Sequence, residues 1–210
     1  MSTILDFLLH LDTHLASFTA AHGPWVYALL FIVIFAETGL VVTPFLPGDT
    51  LLFLAGALTG SGLLSGPWTA TVLAVAAVLG NLSNYAIGRA IGPRVFSLDN
   101  RWLNRRHLQQ THAFFERHGG KTIILARFLP IIRTFAPFVA GVAAMPTASF
   151  TIYTVVGATA WVGLVFTGGI FFGNLAFVRD HLTEVILGIV ILSLIPAGIA
   201  GFIHRRGARA

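Results

Sequence analysis

The sequence contains no cysteine, and only 10% of its 210 residues are charged. The absence of cysteine excludes disulfide bonds and thiolate metal ligands. Soluble domains have about 25% charged residues, so this shortage of charge, beside a hydrophobic fraction of 56%, excludes an ordinary soluble domain. The composition therefore predicts an integral membrane protein with a single compact membrane domain.

The formal net charge is +5, and the basic residues concentrate in one loop and at the C-terminus. This distribution is typical of cytoplasmic flanks of membrane helices rather than of a nucleic-acid-binding surface. We therefore expect residues 94–118 and the basic tail at 204–210 to be cytoplasmic, with no nucleic acid as a partner. The N-terminus lacks the basic region and cleavage site of a removed signal peptide.

Two apolar segments are interrupted by proline. The first broken segment, residues 24–64, is interrupted around Pro47, and the second broken segment, residues 120–146, is interrupted at Pro130 and Pro137. A helix needs about 20 residues to cross the hydrocarbon core, and each arm is shorter than that. Each broken segment therefore predicts a re-entrant hairpin, which is tolerated at membrane depth only if it is buried in protein or lines a wet cavity.

The rest of the chain is assigned by length and amphipathicity. Three apolar runs are long enough to cross the membrane, and two amphipathic runs predict interfacial helices. The spans are 67–92, 147–173 and 182–203, and the interfacial helices are 1–22 and 94–118. The predicted fold is an all-α integral membrane protein whose membrane domain occupies residues 23–175.

The two broken segments resemble each other in sequence. Phe45-Leu46-Pro47 matches Phe128-Leu129-Pro130, and Ala55-Gly56 matches Ala140-Gly141. An odd number of crossings between the segments would make the halves an inverted repeat. Transporters of that design bind substrate and ions at broken helices where the repeats meet. We therefore expect the two hairpins to enter from opposite sides and to face each other near the middle of the membrane.

Each broken segment carries two charged residues in apolar surroundings. The first contains Glu37 and Asp49, and the second contains Arg127 and Arg133. Charges at membrane depth are costly, so they usually face a cavity or one another and mark a substrate or ion path. The two acids and two arginines predict one site assembled from both halves.

The chemistry of these four residues leaves alternatives open. The guanidinium fork of Arg127 or Arg133 suits a phosphate group, but each arginine could instead only pair with an acid and hold the hairpins together. Burial favours a protonated carboxyl group and a nearby arginine favours the ionised form, so Glu37 could carry a proton or only balance charge. Asp49 is also placed to cap the helix that follows it.

Three motifs, taken together, resemble the DedA family of bacterial inner-membrane proteins, whose module is also called the VTT or SNARE-associated domain. They are an acid-containing stretch ending in F-x-P-G-D, the stretch GNLSNYAIGRAIG at 80–92, and R-F-x-P-x-x-R-T followed by A-G at 127–141. The similarity covers about residues 25–175. Leu82 stands where relatives often carry an acid, so no role is expected there. The motif positions expected to be structural are Pro47, Gly48, Asn81, Tyr85, Arg89, Pro130 and Gly141.

The resemblance implies two facing re-entrant hairpins and lipid transport driven by the proton motive force. Family members are associated with returning undecaprenyl phosphate to the cytoplasmic leaflet, and eukaryotic relatives scramble phospholipids. By resemblance, Arg127 and Arg133 bind the substrate, while Glu37 and Asp49 couple transport to protons. The expected partners are a membrane lipid and protons, in the bacterial inner membrane with the C-terminus cytoplasmic. We expect no enzymatic activity, cofactor or metal, and the oligomeric state stays open.

Two other functional classes stay open at this stage. A proton-coupled exchanger of small ions or drugs could use the same four charges. A membrane-embedded phosphatase is less favoured, because neither broken segment contains a histidine or cysteine to act as its nucleophile. His10 and His14 share a helical face, but no acid or cysteine is placed to complete a metal site with them.

Overall fold

The structure is a computed structural model, and it describes residues 11–40, 48–97, 120–173 and 175. Every regular element in these ranges is a helix, as the composition predicted. The helices are α1 (Leu11–His22), α2 (Trp25–Gly39), α3 (Gly48–Gly60), α4 (Gly66–Ser97), α5 (Lys121–Ala126), α6 (Pro130–Val142) and α7 (Thr147–Phe172).

Two of these helices, α4 and α7, are long and apolar enough to cross a membrane. Each exposes large apolar side chains along its length, including Trp68 and Leu79 on α4 and Leu164 and Phe171 on α7. Such side chains suit contact with lipid. Helix α4 continues to Ser97, five residues beyond the predicted end of the span. The predicted third span at 182–203 and the tail at 204–210 lie outside the described residues, as do residues 1–10 and 98–118 of the two predicted interfacial helices.

Helices lie on both sides of each predicted break. In the first broken segment, α2 ends at Gly39 and α3 begins at Gly48. In the second, residues 127–129 separate α5 from α6. Leu129 is extended and Pro130 occupies the first turn of α6, because a residue before proline avoids the helical region and proline is well tolerated at a helix start. The predicted interruption at Pro130 is therefore confirmed, whereas the one predicted at Pro137 is wrong, because Pro137 lies inside the continuous helix α6. The predicted interruption around Pro47 lies outside the described residues.

The two halves of the protein pack in the same reciprocal way. Helix α2 packs on α4, the long helix that follows it, and α5 packs on α7 likewise. The helix after each break packs on the long helix of the other half: α3 packs on α7, and α6 packs on α4. We call these two the exchanged contacts. Two repeats related by an internal pseudo-two-fold axis produce this pattern. The contacts therefore support the predicted repeat, while its orientation in the membrane stays a prediction.

Matched glycines lie at the two exchanged contacts. A Cβ atom at Gly56 of α3 would clash with the carbonyl oxygen of Phe166 in α7, and a Cβ atom at Gly141 of α6 would clash with that of Tyr85 in α4. Glycine permits such close approach of helix backbones. The Ala-Gly pairs that matched in sequence thus occupy equivalent positions in the two halves.

The long helices contribute glycines to the same contacts. A Cβ atom at Gly169 of α7 would clash with the carbonyl oxygen of Phe53, and one at Gly88 of α4 would clash with that of Phe138. Each exchanged contact therefore has a glycine on both of its helices. This close packing fixes α3 and α6, and with them the chain on either side of each break.

Candidate functional site

The two acids lie on opposite sides of the first break. Glu37 is in the last turn of α2 and is only 3% exposed. Asp49 is in the first turn of α3. A cap at Asp49 would require the helix to begin at Thr50, but the helix begins at Gly48, so Asp49 lies inside the helix and the predicted cap is wrong. A Cβ atom at Gly48 would clash with the carboxylate of Glu37, so glycine at this position makes room for the acid.

The two arginines lie at the second break. Arg133 is in the first turn of α6, and Arg127 follows the end of α5 with helical backbone angles. Arg127 is buried, at 6% exposure. Pro130 lies between them in sequence and begins α6, so both arginines lie beside the break between α5 and α6.

Arg133 joins the two broken segments through two ion pairs. Its Nη2 atom donates to Oε1 of Glu37 at 2.5 Å, and its Nη1 atom donates to Oδ1 of Asp49 at 2.6 Å. One guanidinium therefore holds both arms of the first broken segment against the second. The predicted single site from both halves is present in this geometry. Removing one partner of a buried ion pair leaves an uncompensated charge, which is strongly destabilising.

Arg127 has different surroundings from Arg133. Its Nε and Nη2 atoms are buried and make no hydrogen bond within the described part of the chain. Its guanidinium carbon lies 5.0 Å from the ring centre of Trp161, and that of Arg133 lies at the same distance from this ring. Trp161 is buried in α7. Cation–π attraction to the indole of Trp161 therefore stabilises both positively charged guanidinium groups.

Three of the four charged residues, Glu37, Arg127 and Arg133, line a small cavity, and Asp49 is not among its lining residues. Its volume is about 10 Å³, which is room for about one water molecule. The Oε2 atom of Glu37 is buried, without a hydrogen-bond partner among the described residues. The lining residues are Glu37, Thr38, Asn81, Arg127, Arg133, Thr134 and Trp161. Within the described ranges there is no group of three His, Cys, Asp or Glu side chains that could hold a metal.

The other motif positions have structural contacts. The Tyr85 hydroxyl donates to the carbonyl of Met145 at 2.5 Å. Arg89 donates to the Tyr85 hydroxyl at 2.8 Å and to the Thr147 hydroxyl at 2.7 Å. These bonds tie α4 to the start of α7 and lie apart from the cavity. Asn81, by contrast, lines the cavity, and Pro47 lies outside the described residues.

Sequence reasoning missed Trp161 as part of the site. Tryptophan in an apolar span has no local signal that separates a packing role from contact with a cation. Its role became evident only from the packing of α5 on α7, which places the guanidinium of Arg127 over the Trp161 ring. Thr38 and Thr134 were also missed, although each directly follows a charged residue of the site.

These features define an all-helical membrane protein with an internal site built from four charged residues. Comparison with known proteins assigns the family. The VTT domain matches residues 46–171. Protein DedA of Escherichia coli K12 is 50% identical over 208 residues, covering 98% of this chain and 95% of that protein. The chain therefore belongs to the DedA family of VTT-domain membrane proteins.

Two more distant relatives are named as inner membrane proteins. Inner membrane protein YghB of E. coli K12 is 33% identical over 201 residues, which cover 93% of this chain and 88% of that protein. Inner membrane protein YqjA of the same organism is 32% identical over 181 residues, which cover 84% and 81% respectively. No solved structure matches the chain.

Proposed function

We propose that the protein moves a lipid with a phosphate head group, such as undecaprenyl phosphate or a phospholipid, across the membrane and couples this movement to the proton gradient. The observation that carries the proposal is the buried guanidinium of Arg127. Two of its nitrogens make no hydrogen bond within the described residues. A buried donor without an acceptor is costly, and phosphate oxygens can accept two parallel hydrogen bonds from a guanidinium fork.

Arg133 would join Arg127 on the head group once its acids release it. Protonation of Glu37 and Asp49 removes the negative charges that hold the two Nη atoms of Arg133. The freed fork then faces the same cavity as Arg127. The monoester of a polyprenyl phosphate carries about −1.5 to −2 charges near pH 7, so it replaces the charge of two carboxylates, whereas the phosphodiester of a phospholipid carries a single negative charge and replaces one carboxylate. This exchange keeps the buried site close to neutral, which is why proton uptake and phosphate binding would be coupled.

The transport cycle requires the site to open. A cavity of about 10 Å³ holds one water molecule and not a phosphate group, so the two broken segments must separate to admit it. The apolar tail would remain outside, in lipid. Leu125, Phe128 and Ile132 are exposed on the segment that carries both arginines, and they are placed to contact that tail.

The proposal includes the membrane arrangement. The first and second broken segments would be re-entrant hairpins that enter from opposite sides, as an inverted repeat, with α4, α7 and residues 182–203 as the full spans. The location would be the bacterial inner membrane, as it is for the relative named inner membrane protein YghB, with the C-terminus cytoplasmic. The protein would act without a cofactor and without covalent chemistry.

The experiment is a translocation assay in vesicles with an imposed proton gradient. A fluorescent polyprenyl phosphate and a fluorescent phospholipid are followed separately by quenching from outside. We expect gradient-dependent movement of one of these lipids, lost in Arg127→Met and retained in Lys121→Ala, which changes an exposed cation. Release of inorganic phosphate would instead indicate a phosphatase. Gradient-driven movement of a soluble cation or drug without lipid movement would indicate an exchanger.

A further inference from the structure

Asn84 connects the two broken segments through the middle of α4. Its side chain is fully buried, at 0% exposure. The Nδ2 atom donates to the carbonyl oxygen of Thr38 in α2 at 3.1 Å and to that of Thr134 in α6 at 2.9 Å. Both partners are carbonyl oxygens, so only the amide nitrogen, with its two hydrogens, can satisfy them together.

These two carbonyls belong to the residues that directly follow the ion pair. Thr38 follows Glu37, and Thr134 follows Arg133. The amide of Asn84 therefore joins the same two backbones that the side chains of Glu37 and Arg133 join at 2.5 Å. If α2 and α6 move apart, both connections are lost together.

The neighbours of Asn84 on α4 mark the same junction. Gly80, one turn earlier, lies against the backbone of Gly39 in α2, and Gly88, one turn later, lies against Phe138 in α6. Residues four apart share a helix face, so this face of α4 contacts α2 at one end and α6 at the other. Asn84 lies between them and bonds to both helices.

A packing role alone does not account for an amide at this position. The Oδ1 atom of Asn84 is buried and has no hydrogen-bond partner among the described residues. An unsatisfied buried acceptor is destabilising, whereas leucine has the same branching at Cγ without that penalty. The gain from Asn84 therefore lies in its two donated hydrogen bonds.

We infer that Asn84 is a positioning residue: its amide holds the first and second broken segments in the closed arrangement, and its two hydrogen bonds break when the site opens. The inference concerns the opening of the site and does not depend on which substrate enters it. It is therefore tested without a transport assay.

The test measures how often the site opens, through the reactivity of an introduced thiol. Because the protein has no cysteine, Thr38→Cys provides a single buried reporter at the cavity, and a small polar thiol reagent labels it only when the site opens. Asn84→Leu removes both donors, and Asn84→Asp leaves at most one, on a protonated carboxyl group. Loss of two hydrogen bonds is expected to raise the open population, and thus the labelling rate, by about tenfold.

Two matched controls separate opening from general loosening. Thr69→Cys places a thiol at a fully buried threonine on the same helix, about four turns from Asn84, and its labelling should not change. Ser83→Ala alters the neighbouring residue, whose hydroxyl donates to the carbonyl oxygen of Leu79 in the same helix, and it should leave the labelling rate of the Thr38→Cys reporter unchanged.

Selective labelling of the Thr38→Cys reporter in either Asn84 variant supports the inference. Unchanged labelling at both reporters would overturn it, and so would equal increases at both, since these indicate a general loss of packing. Failure of both Asn84 variants to accumulate in the membrane would also overturn it, because Asn84 would then be required for folding rather than for positioning.

Discussion

Arg133 and Glu37 are separated by 96 residues in sequence, yet their side chains meet at 2.5 Å between the two broken segments. Arg133 reaches Asp49 at the same time, so a single cation connects both sides of the first break to the second. Four predictions depend on this arrangement and on the packing that supports it.

The first prediction concerns Arg133→Lys. An ammonium group is a point charge without a planar fork, so it cannot reproduce the two separate Nη contacts. We expect the variant to accumulate in the membrane and to lose at least about tenfold in lipid translocation, the effect of roughly one lost charge-assisted bond. Lys121→Ala serves as the control. Full activity in Arg133→Lys would favour simple charge balance over recognition of a head group.

The second prediction compares Arg127→Met with Arg133→Met. Among the described residues, the same substitution removes two ion pairs at Arg133, whereas at Arg127 it removes the contact with Trp161 and the position lining the cavity. Breaking a buried pair costs about 3–5 kcal/mol, so Arg133→Met should lose far more thermal stability in detergent. Both variants should lose transport. Equal destabilisation would show that Arg127 has a structural ion pair as well.

The third prediction concerns Glu37→Gln and Asp49→Asn. Neither amide can ionise, so a variant of the proton carrier should lose the dependence of transport on the gradient while keeping its shape. We expect the larger effect at Glu37, whose side chain is 3% exposed against 21% for Asp49. The measurement is translocation with and without an imposed gradient.

Two outcomes would contradict the coupling role of the acids. If both amide variants keep gradient-dependent transport, the acids are not the proton carriers. If Glu37→Gln fails to accumulate, the carboxylate serves mainly to compensate the charge of Arg133, since a buried arginine without a partner is strongly destabilising.

The fourth prediction tests the repeated glycine contacts. Gly56→Ala and Gly141→Ala each place a methyl group against a facing carbonyl oxygen, and overpacking of this kind costs about 1–3 kcal/mol. Both variants should lower the thermal midpoint in detergent by similar amounts, because the contacts are equivalent in the two halves. Gly163→Ala is the control, since a Cβ atom there meets no atom within 4 Å. A midpoint that is lowered no more than in this control would contradict the proposed close contacts.

The sequence by itself determined the class of protein and the break before Pro130, although it wrongly predicted a second interruption at Pro137. Composition and apolar length predicted an all-helical membrane protein, and the helices found at 66–97 and 147–172 lie where spans were predicted. Pro130 predicted the start of α6 correctly. These features are local, because proline geometry and the length of an apolar run depend on a few neighbouring residues. The four charged residues were also identified locally, since charge within an apolar stretch is visible in any window of the sequence.

Only the tertiary structure decided how those charges are used. Sequence could not assign both acids to Arg133, place Arg127 against Trp161, or show that Asn84 bonds to both broken segments. The predicted cap at Asp49 is wrong because α3 begins at Gly48 rather than at Thr50. Each of these features depends on the exchanged packing of α3 on α7 and of α6 on α4. That packing joins residues that are far apart in sequence, and no local pattern specifies which of several similar apolar helices will meet.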